Sequence, residues 1–234
     1  MKYLTLLISL MLCLSFGGAA KQVEHQSENH SKEAESKTAL KKLIDGNRRF
    51  STHHMKHPDE TIARRISLAR KGQHPFAIVL SCSDSRIPPE IVFDEGLGDL
   101  FVVRVAGNIA DDAVIASIEY AAEHLGASLL IVLGHENCGA VNAAINNLKE
   151  GHLTTLVEAI HPAVEKVRSS QSASESNGEK SHFSEQVSQA NVEAVVAKLS
   201  TSEPVLAQLV QEKRLVVVGG YYHLSSGKVS LLHK

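Results

Sequence analysis

The chain has 234 residues, of which 43% are hydrophobic and 21% are charged, and its formal net charge is −2. Such a near-neutral chain offers no basic field for nucleic acid or an anionic membrane surface, so we expect no nucleic-acid partner and a small or neutral substrate. The length suits one sizeable hydrophobic core, which predicts a single folded domain.

Residues 1–20 are predicted to be a signal peptide. Lys2 gives a short basic start, residues 4–16 are apolar, and Gly18-Ala19-Ala20 supplies the small residues of a cleavage site. The apolar stretch is too short to span a bilayer comfortably, and no later segment approaches about 20 apolar residues. We therefore expect cleavage near Ala20, export to the periplasm of a bacterium, and no membrane insertion of the mature chain.

The next segments are predicted to be a flexible leader and a helical arm. Residues 21–36 repeat Glu, His, Ser and Lys, a composition typical of a flexible polar leader. Apolar residues then recur at helical spacing over 37–50, and a second short helix is predicted over 61–71. Because no strand separates these two helices, we expect an N-terminal arm that packs on another surface.

Strands and helices alternate from residue 76 onwards. This alternation predicts an α/β fold with a mostly parallel central sheet of four to five strands flanked by helices, in one domain over residues 37–234. The predicted strands are 76–81, 100–105, 128–133 and 215–218, with an edge hairpin from 221–223 and 228–232; the predicted helices are 113–125, 139–149 and 186–199, and 169–184 is predicted to be an exposed loop.

The cysteines leave two interpretations open. Removal of the signal peptide removes Cys13 and leaves Cys82 and Cys138, which in an exported protein normally suggest one disulfide. However, both thiols follow predicted strands, and His135 precedes Cys138 by three residues on the loop after the third strand. Ligands of open parallel sheets bind beyond the carboxyl ends of the strands. Two thiolates and one imidazole there would hold Zn²⁺ with its fourth position open, as in catalytic zinc sites.

A possible catalytic pair follows the first cysteine. Asp84 and Arg86 lie two and four residues after Cys82. An arginine beside a carboxylate favours its ionised form and can hold it through two hydrogen bonds. A carboxylate fixed in this way can accept a hydrogen bond from a metal-bound water and orient it. The alternative is a surface ion pair, which contributes little.

Together these motifs resemble the β-class carbonic anhydrases. The resemblance implies reversible hydration of carbon dioxide to bicarbonate and a proton by zinc-bound hydroxide. It covers the chain from about Lys41 to the end of the sheet through Gly72-Gln73-x-Pro75, Cys82-Ser83-Asp84-Ser85-Arg86-Ile87-Pro88, the run FVVRVAGN at 101–108, and Gly134-His135-x-x-Cys138-Gly139-Ala140.

The resemblance also implies roles for individual residues. One Zn²⁺ per subunit would be held by Cys82, His135 and Cys138, and Asp84 with Arg86 would form the catalytic pair. The residues implied to bind or surround the substrate are Gln73, Phe101, Ala106, Tyr120 and Gly139.

The family further implies a homodimer or homotetramer whose sites lie at an interface between subunits and whose N-terminal helices wrap the partner. The pocket for allosteric bicarbonate in some members uses a tryptophan, and this chain has none. We hypothesise that the zinc site is open near pH 8, with Asp84 paired to Arg86 rather than bound to the metal. His57, His74 and His124 are candidate proton relays.

Three other functions remain as alternatives. A thiol redox protein would exchange Cys82 with Cys138, although reactive dithiols usually have Cys-x-x-Cys spacing. A non-catalytic zinc carrier would use the same ligands without needing Asp84, Arg86 or Gln73. The same zinc scaffold could also hydrolyse another small heterocumulene, such as carbon disulfide or carbonyl sulfide.

Overall fold

The computed structural model describes residues 31–170 and 180–232. The predicted signal peptide and most of the predicted leader lie outside the described residues, as do residues 171–179 of the predicted loop. Among the described residues, no helix is both long and apolar enough to cross a membrane.

Five strands form one sheet in the order β2-β1-β3-β4-β5. Strands β2, β1, β3 and β4 run parallel to one another, and β5 pairs antiparallel with β4 at one edge of the sheet. The mostly parallel α/β fold predicted from the sequence is therefore confirmed. The strands are β1 (Ala77–Ser81), β2 (Leu100–Arg104), β3 (Leu129–His135), β4 (Val216–Tyr222) and β5 (Val229–Leu232).

Helices cover both faces of this sheet. Side chains of successive strand residues point to opposite faces, so Val79 and Ile131 lie in one apolar cluster while Ile78 and Leu130 lie in the other. The helices are α1 (31–51), α2 (Ile62–Lys71), α3 (Pro89–Val92), α4 (Asp112–Glu123), α5 (Gly139–Ile145), α6 (Leu153–Ser170), α7 (Lys180–Ser200) and α8 (Leu206–Gln211), with a 3₁₀ turn at Ala106–Asn108.

The N-terminal helix is longer than predicted. The chain is already helical at residue 31, within the stretch predicted to be a flexible leader. Lys37 pairs with Glu33 at 2.8 Å, one helical turn away, and such pairs stabilise a helix. Ser36 is buried, which shows that this polar segment packs on the domain. The composition of residues 31–36 did not reveal this packing.

Two strand boundaries differ from the prediction. β3 continues to His135, so this residue ends the strand rather than lying on the loop after it. β4 runs through to Tyr222 and includes the residues predicted to start a separate hairpin strand at 221. Gly219 weakens the strand signal, but a side chain here would lie 2.9 Å from Val192 Cγ1 of α7. The glycine is therefore explained by close helix packing rather than by a turn.

The helix predictions also need correction. Helices α3, α6 and α8 were not predicted from the sequence. α6 continues through Pro162, although proline normally signals a helix end. The apolar face of α6 includes Val157, Ile160 and Val164, and its burial outweighs the lost backbone hydrogen bond. α7 begins at residue 180, six residues before the predicted start, whereas α5 ends at 145 rather than 149.

Candidate metal centre

Two neighbouring strands bring three potential metal ligands to the carboxyl edge of the sheet. β1 and β3 pair in parallel, with Ser81 opposite Leu133. Cys82 follows β1 directly, His135 is the last residue of β3, and Cys138 is the N-cap residue of α5. The two strands therefore place all three side chains in one region.

The ligand atoms of Cys82, His135 and Cys138 all lie within 4.8 Å of one another, and all three residues are buried. The two sulfurs are 4.0 Å apart and both cysteines are free. A disulfide needs about 2.05 Å between sulfurs, whereas two Zn–S bonds of about 2.3 Å at a tetrahedral angle put them about 3.8 Å apart. The distance between the sulfurs fits two ligands of one metal ion. Cys82 and Cys138 do not form the disulfide that was the alternative interpretation.

His135 presents one ring nitrogen to this site. Its Nδ1 lies 2.8 Å from the carbonyl oxygen of Glu136 and donates a hydrogen bond to it. In the neutral imidazole this contact leaves Nε2 as the nitrogen without a hydrogen, and Nε2 is buried without a hydrogen-bond partner among the described residues. A buried unpaired nitrogen is costly, and a metal ion would satisfy it. Metal-binding histidines are commonly fixed through their other nitrogen in this way.

The two thiols are suited to bind a cation. The thiols of Cys82 and Cys138 lie within hydrogen-bonding distance, and this contact lowers the pKa of Cys82 despite its burial. The backbone N–H of Gly107 donates a further hydrogen bond to the Cys82 sulfur at 3.3 Å. The same thiol contact, together with burial, raises the pKa of Cys138. A Zn²⁺ ion between the two sulfurs would displace the thiol protons and hold both sulfurs as thiolates.

Arg86 holds Asp84 at the edge of the site. Its Nε donates to Oδ1 at 2.9 Å and its Nη2 to Oδ2 at 2.7 Å, and the backbone N–H of Arg86 also donates to Oδ1. These contacts hold the pKa of Asp84 well below its usual range. Oδ2 lies 4.0 Å from His135 Nε2, so an ionised carboxylate borders the metal ligands. The pair is therefore bidentate and borders the metal ligands, which distinguishes it from an isolated surface ion pair.

Comparison with known proteins identifies the family. The sequence model of the carbonic anhydrase family matches residues 77–229. The chain is 40% identical over 198 residues to a carbonic anhydrase of Mycolicibacterium smegmatis, a match that covers 82% of this chain and 91% of that protein. The chain belongs to the carbonic anhydrase family.

Further comparisons agree and indicate the β class. Carbonic anhydrase 2 of Mycobacterium tuberculosis is 38% identical over 200 residues, which covers 82% of this chain and 91% of that protein. A solved structure of a tetrameric β-carbonic anhydrase from Sordaria macrospora superposes with a TM-score of 0.64 and 27% identity, covering 73% of this chain and 86% of that one. This carbonic anhydrase is therefore an enzyme with the β-class fold.

Two of the residues expected to surround the substrate border the metal ligands. Ala106 precedes Gly107, whose N–H contacts the Cys82 sulfur. Gly139 follows Cys138, and a Cβ added there would meet nothing within 4 Å. Gly139 thus leaves room beside Cys138.

The other three expected substrate residues do not lie in this site within one chain. Phe101 pairs with Ile78, four residues before Cys82, so it lies about 13 Å back along the strand direction. The ring of Tyr120 is 6.3 Å from that of Phe101, and Gln73 is exposed ahead of β1. These three positions agree with the expectation that the substrate pocket lies at an interface between subunits, and their roles in substrate binding stay predictions.

The candidate proton relays lie away from the ligands. His57 is 3.4 Å from Glu60, and His124 packs on Tyr120 with ring centroids 5.5 Å apart. His74 is exposed in the segment before β1. None of these contacts places a histidine beside Asp84.

The sequence analysis missed residues that support the site through the backbone. Arg104 donates to the carbonyl oxygen of Cys82 at 3.0 Å and also to that of Asp84. Gly107 supplies the N–H to the Cys82 sulfur. Both residues lie in the run at 101–108, which is one of the motifs that carry the family resemblance. The motif therefore marked these positions as part of the family pattern, but it did not show that they hydrogen-bond to Cys82.

Proposed function

We propose that Cys82, His135 and Cys138 hold one Zn²⁺ per subunit and that this carbonic anhydrase uses it for the reversible hydration of carbon dioxide to bicarbonate and a proton. The observation that carries the proposal is the buried group of two sulfurs and one unpartnered imidazole nitrogen, with ligand atoms within 4.8 Å of one another. Three protein ligands leave the fourth position of a tetrahedral Zn²⁺ open.

Zn²⁺ in such a site lowers the pKa of water from about 15.7 to about 7, and so supplies a nucleophile near neutral pH. The remaining work belongs to the protein. Asp84 is ionised and its oxygens keep free lone pairs, so it can accept a hydrogen bond from a reacting group and orient it. Arg86 and Arg104 fix Asp84 through its side chain and its backbone.

The contacts of Asp84 support an open site. Both of its carboxylate oxygens accept hydrogen bonds from Arg86, and movement onto the metal would break these charge-assisted bonds. We therefore retain the proposal that Asp84 stays on Arg86 near pH 8. A crystal structure of the zinc-loaded protein at that pH tests it, and an Asp84 oxygen about 2 Å from zinc would contradict it.

We further propose that the active unit is at least a homodimer, in which the partner supplies Gln73, Phe101 and Tyr120 to the site. These residues lie away from the ligands of their own chain, and Tyr120 is 49% exposed. Ile62 of the N-terminal arm is 70% exposed, as expected for an apolar residue that a partner covers. The Sordaria macrospora relatives are tetrameric, which supports assembly of copies.

Stopped-flow measurement of carbon dioxide hydration with a pH indicator tests the proposed reaction. We expect rapid hydration by the purified protein, loss of activity on removal of the metal by a chelator, and recovery on addition of Zn²⁺. Activity that is unchanged in protein shown to be free of metal would contradict zinc dependence. Metal-loaded protein without any hydration activity would contradict the reaction.

We also propose export to the periplasm, supported by the basic start, apolar stretch and small residues of positions 1–20. Mass spectrometry of the protein isolated from a bacterial host tests this proposal. We expect an N-terminus near Lys21 in the periplasmic fraction. An uncleaved chain retained in the cytoplasm would contradict it.

A further inference from the structure

Three polar side chains lie on one buried face of α7. Ser184, Ser188 and Asn191 are spaced by four and three residues, which places them in a row along one side of the helix. Their exposed fractions are 7%, 3% and 3%. Polar groups buried to this extent require hydrogen-bond partners, and each partner of this α7 polar row either belongs to a metal-ligand residue or donates a hydrogen bond to one.

Ser188 contacts the end of β3. Its hydroxyl donates to the carbonyl oxygen of His135 at 3.2 Å. The helix approaches this strand very closely, since a Cβ added at Gly134 would lie 2.5 Å from Val192 Cγ2 and 3.3 Å from Ser188 Oγ. Ser188 therefore holds the backbone of His135, while the carbonyl oxygen of Glu136 holds its imidazole ring.

Asn191 reaches the Cys82 sulfur through one residue. Its Nδ2 donates to the carbonyl oxygen of Gly107 at 2.9 Å. The N–H of the same Gly107 donates to Cys82 Sγ at 3.3 Å. Gly107 has φ 74°, a conformation that other residues adopt at a cost. The Asn191 amide therefore holds a conformationally permissive residue in the orientation that directs its N–H at the sulfur.

Ser184 completes the row at α5. Its hydroxyl donates to Asn142 Oδ1 at 2.8 Å, and the N–H of Asn142 donates to the carbonyl oxygen of Cys138 at 3.0 Å. The α7 polar row thus contacts the backbone of His135 directly, and it is linked to Cys82 through Gly107 and to Cys138 through Asn142.

We propose that the α7 polar row positions the three zinc ligands, and that Ser188 and Asn191 are positioning residues of the metal centre. This inference rests on the proposed zinc site. A helix buried against β3 and β4 is a more rigid support than a loop, and loss of a group that supports metal ligands typically lowers metal affinity 10- to 100-fold. The competing explanation is that these side chains only stabilise the packing of α7.

Zinc release from the intact, zinc-loaded protein distinguishes the two explanations. We would measure the rate of zinc transfer to a chromophoric chelator, the visible and near-ultraviolet spectrum of the Co²⁺-substituted protein, and the thermal unfolding midpoint. The variants are Asn191→Leu, which keeps a similar shape without a donor, and Ser188→Ala. Val195→Ala is the matched control, because Val195 is buried on the same helix but lies in the apolar cluster that contains neither Cys82 nor Cys138.

We expect zinc loss to be at least about tenfold faster in Asn191→Leu and Ser188→Ala, with an altered cobalt–thiolate band in Asn191→Leu. Val195→Ala should lower the unfolding midpoint and leave both metal readouts unchanged. Ser188→Thr keeps the hydroxyl and should release zinc at the wild-type rate.

Wild-type zinc release in both polar variants would overturn the inference, as would equal acceleration in Val195→Ala. If Asn191→Leu does not fold, Ser188→Ala against Ser188→Thr decides the question. A wild-type protein that holds no zinc would instead refute the proposed function, and with it this inference.

Discussion

The chemistry of individual residues in this site is set by backbone groups next to them. Nε2 of His135 is available because Nδ1 donates to the carbonyl oxygen of Glu136, and Cys82 is favoured as a thiolate partly because Gly107 donates to it. Asp84 is the exception, since the side chain of Arg86 holds it. The acid–base function of the site therefore depends on a pair of side chains that can be changed without removing a metal ligand.

Replacing Asp84 by Asn tests this function. The amide keeps the shape of the carboxylate but loses its charge, so we expect kcat for carbon dioxide hydration to fall at least about 100-fold. Zinc content should remain at one per subunit, as determined by elemental analysis. A non-catalytic zinc carrier would show no such dependence, and an Asp84→Asn enzyme with wild-type kcat would contradict the assignment.

The lowered pKa of Asp84 also predicts how stability depends on pH. Its pKa in the folded state lies below the unfolded value of about 3.9, so the Asp84–Arg86 pair stabilises the fold fully above that pH. This contribution is lost only as the pH falls through the lowered folded-state pKa. In urea titrations of zinc-free protein, the stability difference between wild type and Asp84→Asn should be constant from pH 7 to about 5 and shrink below about pH 4. A difference that disappears near neutral pH would contradict the pairing.

At the scale of secondary structure, β1 and β3 place the metal ligands at the carboxyl edge of the sheet. The 3₁₀ turn after β2 contributes the N–H of Gly107, which donates a hydrogen bond to Cys82 Sγ. Gly107 lies in this turn with φ 74°, and a Cβ there would lie 2.6 Å from Ile160 Cδ1 of α6. Ile160 is fully buried and cannot move freely. Glycine is therefore favoured at position 107 both by the positive φ angle and by the lack of space for a Cβ atom.

Gly107→Ala should therefore destabilise the protein by roughly 1–3 kcal/mol, and more if α6 cannot shift. Gly139→Ala is the matched control for stability, because a Cβ there meets nothing within 4 Å. Chemical denaturation of the zinc-loaded proteins measures both. Equal stability of Gly107→Ala and Gly139→Ala would show that the turn relaxes around the added methyl group.

At the scale of the whole molecule, three of the expected substrate residues lie apart from the metal ligands of their own chain. The metal ligands lie at the carboxyl ends of β1 and β3, whereas Phe101 pairs with Ile78 near the amino end of β1, with Tyr120 beside it. In a symmetric dimer each subunit can supply such residues to the other. The proposed assembly is thus part of the proposed catalytic mechanism.

Mixed dimers test whether Gln73 acts across the interface. Gln73→Ala and Asp84→Asn subunits should each be weakly active alone. Random mixing would give heterodimers with one intact site, and about a quarter of wild-type activity overall if Gln73 serves the partner's site. If Gln73 serves its own subunit, no heterodimer contains an intact site. Mixtures no more active than the separate variants would then contradict the proposal.

The sequence by itself determined the type of fold and the identity of the candidate ligands. Strand-helix alternation is a local property, and Cys82, His135 and Cys138 each follow or end a strand, where an open parallel sheet binds its ligands. The N-terminal helix boundary, the continuous β4 and the helix α6 were not predicted, because packing overrides composition, glycine and proline signals at those positions.

Only the tertiary structure decided how the site is supported and completed. Ser188 and Asn191 are distant in sequence from every ligand, and a helix face made of buried polar residues has no apolar periodicity from which a role could be read. Likewise, the motifs containing Gln73 and Phe101 did not reveal that these residues lie away from the ligands of their own chain. The reason is physical: ligand types are encoded locally, whereas hydrogen-bond partners and subunit contacts arise from long-range packing.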